Sequence, residues 1–304
     1  MKFTVDYPVG GPGHDRALLS GAGVTAVAKA ADRLGFHAIA FTEHPAPSMK
    51  WLRNGGHDTL DLTSALAFCA AVTERIRLTT HLMVLPYHNA FAAAKALTTV
   101  DLLSDGRLTV VAGTGYLRSE FLALGVDFES RNERFDEALH VMRTLWSAGT
   151  EPVSFDGPFF PGIGVAHVPG PVQPGGPPVL IGGNSRLSRR RAARNQGWSP
   201  LLVPEQVART SRTPALTLEK LPPLIAEVRE CAVEEQGEGT EVTIQVQGLD
   251  HGVLRGGEVS PEQHRETLGR LADAGVDSYV LTVPCTSVRD TVEGLEKYAA
   301  TYIR

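Results

Sequence analysis

The 304-residue sequence is short of several things, and each shortage removes a class of function. It holds three cysteines, Cys69, Cys231 and Cys285, far apart and without CxxC spacing. An odd count with no framework excludes a disulfide scaffold and fits a reducing compartment, so a cytoplasmic location is expected. No apolar run is long enough to cross a bilayer, so no membrane span is expected. The opening "MKFTVDYPVG" lacks the apolar core of a secretory signal and reads as a first strand. Positive charge is not in excess: 29 Lys and Arg stand against 34 Asp and Glu, a formal net charge of −5. Neither nucleic acid nor an anionic membrane is therefore an expected partner. No HExxH occurs, and the spacing of His81 and His88 suits no single-helix zinc pattern, so no metal is expected. The absence of a GxSxG elbow argues against a serine hydrolase.

What is present has the texture of an ordinary globular protein, with apolar and charged residues in common proportions. Patterning predicts strands at Phe3–Pro8, His37–His44, Ile76–Leu85, Arg107–Gly113, Pro178–Gly183, Trp198–Val203, Glu241–Gly248 and Asp277–Pro284. Helical spacing falls between them: Val24–Leu34, Asp58–Thr73 with Asp58 as N-cap, Asn89–Leu103, Arg131–Trp146, a run from Ser185 to Asn195, Pro222–Glu235, Pro261–Ala274 and Val288–Tyr302. Eight strands alternating with eight helices imply an α/β protein whose parallel strands form a (β/α)8 TIM barrel. A single domain over 1–304 is expected, with Gly- and Pro-rich loop insertions near 149–178 and 204–214 and a hairpin around "VSFDGPFF".

In such a barrel the chemistry sits at the C-terminal ends of the strands. Glu43 and His44 close the second strand; a carboxylate beside an imidazole can orient a substrate and shuttle a proton. The plainer reading is a surface histidine with satisfied partners. Gly113 and Gly115, in "VVAGTGYLRSEF", follow the fourth strand. They imitate the start of a dinucleotide fingerprint, but position 118 is Arg118 where a third glycine belongs, and three strand–helix units precede them. Gly182, Gly183, Asn184 and Ser185 end the fifth strand and open a helix. Free N–H groups, the helix dipole, a hydroxyl and an amide there suit a phosphate, against the simpler need for glycine in a tight turn. Arg186, Arg190 and Arg194 recur every four residues, the usual mark of a solvated face.

Longer segments narrow the reading. "LGFHAIAFTEH", "IRLTTHLMVLPYHNAFAAAKALTTVDLLSDGRLTVVAGTGYLRSEF", "ALGVDFESRNERFDEALHVMRTLW" and "PPVLIGGNS" together resemble the bacterial luciferase-like monooxygenase family. The resemblance covers nearly all of the chain and is densest from Leu34 to Trp146. It implies a (β/α)8 barrel with insertions that binds FMN or the deazaflavin coenzyme F420. "GGHDTL" and "ARTSRTPALT" are similar to the actinobacterial F420-dependent branch. The implied activity is hydride transfer between F420 and a small organic substrate. Alternatives are an FMN-dependent monooxygenase using a peroxyflavin, and a non-catalytic member that binds cofactor or a partner. A homodimer is expected.

The resemblance also places residues. His44 is the implied proton donor or acceptor, with Glu43 as its electrostatic partner or a ring contact. Gly113, Gly115 and Tyr116 lie where the fourth strand approaches the cofactor ring, a place where a Cβ would obstruct it. Gly182, Gly183, Asn184 and Ser185 would hold the cofactor phosphate. The third strand would bulge toward the ring through a non-prolyl cis peptide between His81 and Leu82. One departure stands out. Sugar-phosphate dehydrogenases of this family carry a carboxylate directly after the second glycine and a tryptophan four residues after the strand-two histidine. Here those positions hold Tyr116 and Ser48.

Overall fold

The computed structural model describes residues 1–8, 14–205, 208, 213–247, 252–255 and 259–303. Eight parallel strands alternating with helices place the chain in the expected (β/α)8 barrel class. The chain divides into two compact units, Met1–Ala40 with Val179–Arg304, and Phe41–Pro178.

The first unit contains β1 (Lys2–Asp6), most of β2 (Ala38–Phe41), β8 (Val179–Gly182), β9 (Gly197–Ser199), β10 (Thr243–Gln247) and β11 (Ser278–Thr282). Their order is β2-β1-β11-β10-β9-β8, every pairing parallel. These strands read as continuous apolar runs because both faces are covered, as parallel sheets require; Val5, Ile39, Trp198, Ile244, Val246 and Val280 are all buried. Helices start where a short polar side chain can take an orphan N–H. Ser20 caps Gly21–Arg33, Ser287 caps Val288–Tyr302, and Ser260 with Gln263 forms a reciprocal capping box on Pro261–Asp273.

The second unit contains β3 (Arg77–Thr80), β4 (Met83–Val84) and β5 (Leu108–Gly113), with β3 and β4 both parallel to β5. The single third strand expected from "IRLTTHLMVL" is thus two pieces. The break falls at His81–Leu82, whose peptide is cis as the resemblance implied. Thr80 spans the gap in the ladder. Its hydroxyl accepts from the Val111 N–H at 2.8 Å and donates to the Val111 carbonyl at 2.7 Å. β6 (Val153–Phe155) and β7 (Gly162–Val165) form the expected antiparallel hairpin in the insertion.

Boundaries moved where side-chain chemistry outranked periodicity. The helix expected from Asp58 begins at Leu62, because Asp61 is the residue whose carboxylate accepts from Ser64 N–H. Two short helices, Met49–Arg53 and Arg118–Ala123, fall in stretches that the sequence patterning assigned to no element. The rim residues Gly248–His251 and residues 209–212 of the "ARTSRTPALT" segment lie outside the described residues.

One buried polar cluster in this unit gives stability a pH dependence. The Thr98 hydroxyl accepts from the Trp146 indole N–H at 3.0 Å and meets His167 Nε2 at 2.9 Å. Burial, and then the nearby Lys95 charge, hold the His167 imidazole below its ordinary value of 6.5. The unfolded chain therefore takes this proton first. Stability from His167 is complete above about pH 6.5 and falls as pH drops toward the depressed folded value. Urea midpoints should fall more steeply between about pH 7 and pH 5 in the wild type than in His167→Gln. Parallel slopes would refute the assignment.

Candidate active site

The exit of the second strand gathers two carboxylates, and each is claimed by a different histidine. Glu43 is buried; one oxygen accepts from the Val84 backbone N–H at 2.6 Å and the other meets His88 Nε2 at 2.8 Å. Glu43 is therefore not the partner of His44. It fastens β4, the piece of strand that follows the cis bond, to the end of β2. His44 instead turns its Nδ1 to Glu120 Oε2 at 3.2 Å. Glu120 comes from the helix Arg118–Ala123, and its side chain is 1% exposed. It also accepts the Tyr87 O–H at 2.9 Å on the same oxygen, and the Ala46 backbone N–H at 3.3 Å on the other.

A carboxylate only accepts, so this arrangement fixes the imidazole tautomer. His44 carries its hydrogen on Nδ1 and keeps Nε2 for a reacting partner. An acceptor that orients the base in this way is the third element of acid–base sites generally. The rest of the ring is walled by aromatics: Trp51 at 4.3 Å between centroids, His57 at 5.2 Å, and Tyr116 edge-on at 6.2 Å. Ser48 caps the short helix that carries Trp51 by accepting the Trp51 N–H. Tyr116 is 46% exposed. Burial, and then the Glu120 charge, push the Tyr87 phenol well above the ordinary tyrosine range, so it stays a donor.

His81 and Leu82 lie beside this cluster in the same unit, both half-buried, with the His81 N–H donating to the Phe41 carbonyl at 2.7 Å. Gly113, which ends β5, and Gly115 two residues on are packed against this third strand. A Cβ on Gly113 would lie 2.6 Å from Leu82 Cδ1, and one on Gly115 would lie 2.6 Å from Val84 Cγ1. Gly115 also has φ +74°, a conformation that favours glycine. These glycines make room for the chain's own third strand.

In the first unit, Gly182 ends β8 and Gly183 turns with φ +104°, where a Cβ would also lie 3.0 Å from Ser188 Oγ. Ser185 caps the helix Arg186–Ala193, accepting from Ser188 N–H and meeting Ser188 Oγ at 2.8 Å. The first-turn N–H groups of Arg186 and Leu187 have no acceptor within the helix. Asn184 departs from expectation. Its carboxamide donates to the Leu201 and Pro214 carbonyls and accepts from Leu201 N–H, so its side chain holds the loop. Arg194 pairs with Glu235 in solvent, as a solvated face should.

The comparisons with known proteins decide the family. The luciferase-like monooxygenase model matches residues 1–213, more than half of the chain. The chain belongs to the luciferase-like monooxygenase family. A Mycobacterium tuberculosis protein is 28% identical over 291 residues, covering 90% of this chain and 92% of that one. An F420-dependent glucose-6-phosphate dehydrogenase of Kribbella flavida is 32% identical over 160 residues, covering 50% of this chain and 45% of the dehydrogenase. An FMNH2-dependent dimethylsulfone monooxygenase of Pseudomonas putida is 29% identical over 145 residues, 47% of this chain and 38% of that enzyme. A solved monooxygenase from Streptomyces bottropensis shares the fold over 100% of this chain and 99% of its own, with TM-score 0.79 and 24% identity. Relatives thus include an F420-dependent dehydrogenase and an FMNH2-dependent monooxygenase. Among the described residues, no helix is long and apolar enough to cross a membrane.

Glu120 and Tyr87 were missed in the sequence. Glu120 stands inside "YLRSEF", next to Phe121, which is fully buried. A carboxylate adjoining a core phenylalanine on a short helix was the available signal.

Proposed function

We propose that this chain is an F420-dependent oxidoreductase that transfers a hydride between the deazaflavin and a small organic substrate. The observation that carries the reading is the His44–Glu120 pair at the second strand's exit, 3.2 Å apart and almost wholly enclosed. Hydride exchange at a carbinol or carbonyl carbon leaves one proton to be placed on, or removed from, oxygen. His44 handles that proton at Nε2, and Glu120 holds the ring and balances the charge that develops on it. Glu43 secures Val84, and with it the segment after His81–Leu82 that would face the ring. Tyr116 offers an exposed aromatic edge beside His44.

The residues present fit the cofactor class. Gly182 and Gly183 bring no side chain to the helix mouth, Ser185 brings a hydroxyl, and Asn184 shapes the turn; this donor set suits a phosphate. When bound, F420 supplies a ring carbon that accepts or gives hydride; the protein supplies position and proton management. The expected outcome of titrating the purified chain, followed by fluorescence and absorbance, is F420 binding at least about tenfold tighter than FMN, a difference of about 1.4 kcal/mol. Preferential FMN binding, with oxygen uptake by the reduced flavin, would replace this reading by a monooxygenase. F420 binding with no turnover over a broad substrate panel would replace it by a non-catalytic member.

A further inference from the structure

We infer that Tyr87 is a positioning residue that tunes the His44–Glu120 pair by competing with His44 for one carboxylate oxygen. The inference rests on His44 as the proton-handling group. Glu120 Oε2 accepts from Tyr87 Oη at 2.9 Å and from His44 Nδ1 at 3.2 Å, while Oε1 takes only the longer bond from Ala46 N–H. Two donors on one oxygen share its charge, and the shorter bond takes the larger share. Glu120 lies out of water, so its charge depends on these donors.

Geometry holds the phenol in this role. Tyr87 ends the 3-10 turn Leu85–Tyr87 that follows β4, and its ring packs edge-on against Phe121 at 4.8 Å. Phe121 adjoins Glu120 on the same short helix, so one contact orients both partners. The next residue, His88, takes the other buried carboxylate, Glu43. Tyr87 and His88 thus hold one acid each, and the segment leaving the third strand is fastened to both.

The phenol does not pass its proton on. Burial and the Glu120 charge both favour its neutral form, so it acts as a fixed donor that withdraws charge from the pair. The other titratable groups facing the pair are His57 and Tyr116, both against the His44 ring. Glu43 acts on Tyr87 through its charge. Removing the phenol oxygen leaves Oε2 to His44 alone, and the pair then holds its proton more tightly. The titration belongs to the pair rather than to either residue.

The test is a pH titration of the full chain labelled with 15N-histidine, without cofactor or substrate, with His44→Gln identifying the His44 signals. The neutral His44 ring should carry its hydrogen on Nδ1 in the wild type. In Tyr87→Phe the pair should remain protonated to higher pH, by a factor of roughly 3–10 in proton concentration, the worth of one hydrogen bond. Glu120→Gln should move it the opposite way. A wild-type ring protonated on Nε2 would overturn the geometry with no variant involved. A Tyr87→Phe curve superimposed on the wild type, or displaced to lower pH, would overturn the tuning. Failure of F420 binding leaves this titration untouched, so the two readings fail separately.

Discussion

His44→Ala should lower turnover roughly 10²- to 10⁴-fold, the usual cost of losing a general acid–base group. F420 affinity should change far less, because the phosphate-binding role is assigned to Gly182–Ser185 and does not involve the imidazole. The structure adds a companion variant that sequence reasoning did not supply. Glu120→Gln places a carboxamide where Tyr87 O–H, His44 Nδ1–H and Ala46 N–H all donate. The amide oxygen can satisfy only one side. Its NH2 group meets a donor on the other, or forces His44 into the tautomer with hydrogen on Nε2. The base then points its hydrogen at the substrate when it needs a lone pair, so the loss should be of the same order as for His44→Ala. Steady-state kinetics on a reactive substrate, paired with cofactor titrations of each variant, checks both. Unchanged turnover in His44→Ala would remove the residue from the mechanism.

Sequence reasoning reached the architecture because parallel strands advertise themselves. Runs such as "PVLIGG" and "YVLTVP" are largely apolar, and glycine, aspartate and serine punctuate the helices between them. It located the strand ends that matter, but not the pairings there. Adjacent Glu43 and His44 looked like partners; alternation sends successive side chains of an extended segment apart. Their real partners stand 45 and 76 residues away. The two departures from the sugar-phosphate dehydrogenase pattern have the same lesson. Position 48 lacks the tryptophan, yet Ser48 caps a five-residue helix that swings Trp51 onto the His44 ring. Position 116 lacks the carboxylate, yet Glu120, one helical turn further on, reaches His44. A short helix shifts a functional group by three or four residues without moving it far in space, and a helix of five or six residues leaves too little periodicity to be read. The glycine pair shows the converse: its positions were legible, but the Leu82 and Val84 side chains that exclude a Cβ were not.

The largest stability effect should come from a residue with no place in the chemistry. Asp101→Ala is expected to cost about 3–5 kcal/mol, the range for breaking a buried charged network by removing one partner, out of a total that is typically about 5–15 kcal/mol. Asp101 is the third-last residue of the helix Ala90–Leu103. It is fully buried. One oxygen accepts the backbone N–H groups of Val172 at 2.8 Å and Gln173 at 3.1 Å, and the other accepts the Gln173 carboxamide at 2.7 Å. Gln173 passes the constraint on, donating to the Leu108 carbonyl at 2.8 Å and accepting from Arg77 at 3.4 Å. Burial weakens the Arg77 hold on its proton, and the Asp101 charge opposes that, so the guanidinium too depends on this acid. Alanine leaves three donors without an acceptor and Arg77 without its counter-charge. Asp101→Asn retains one good oxygen and the shape, so it should cost less, about 1–3 kcal/mol. Urea unfolding of both variants at neutral pH separates the cases, read from the midpoint at unchanged slope. An Asp101→Ala midpoint within about 1 kcal/mol of the wild type would mean that water replaces the carboxylate and that the insertion is not anchored here.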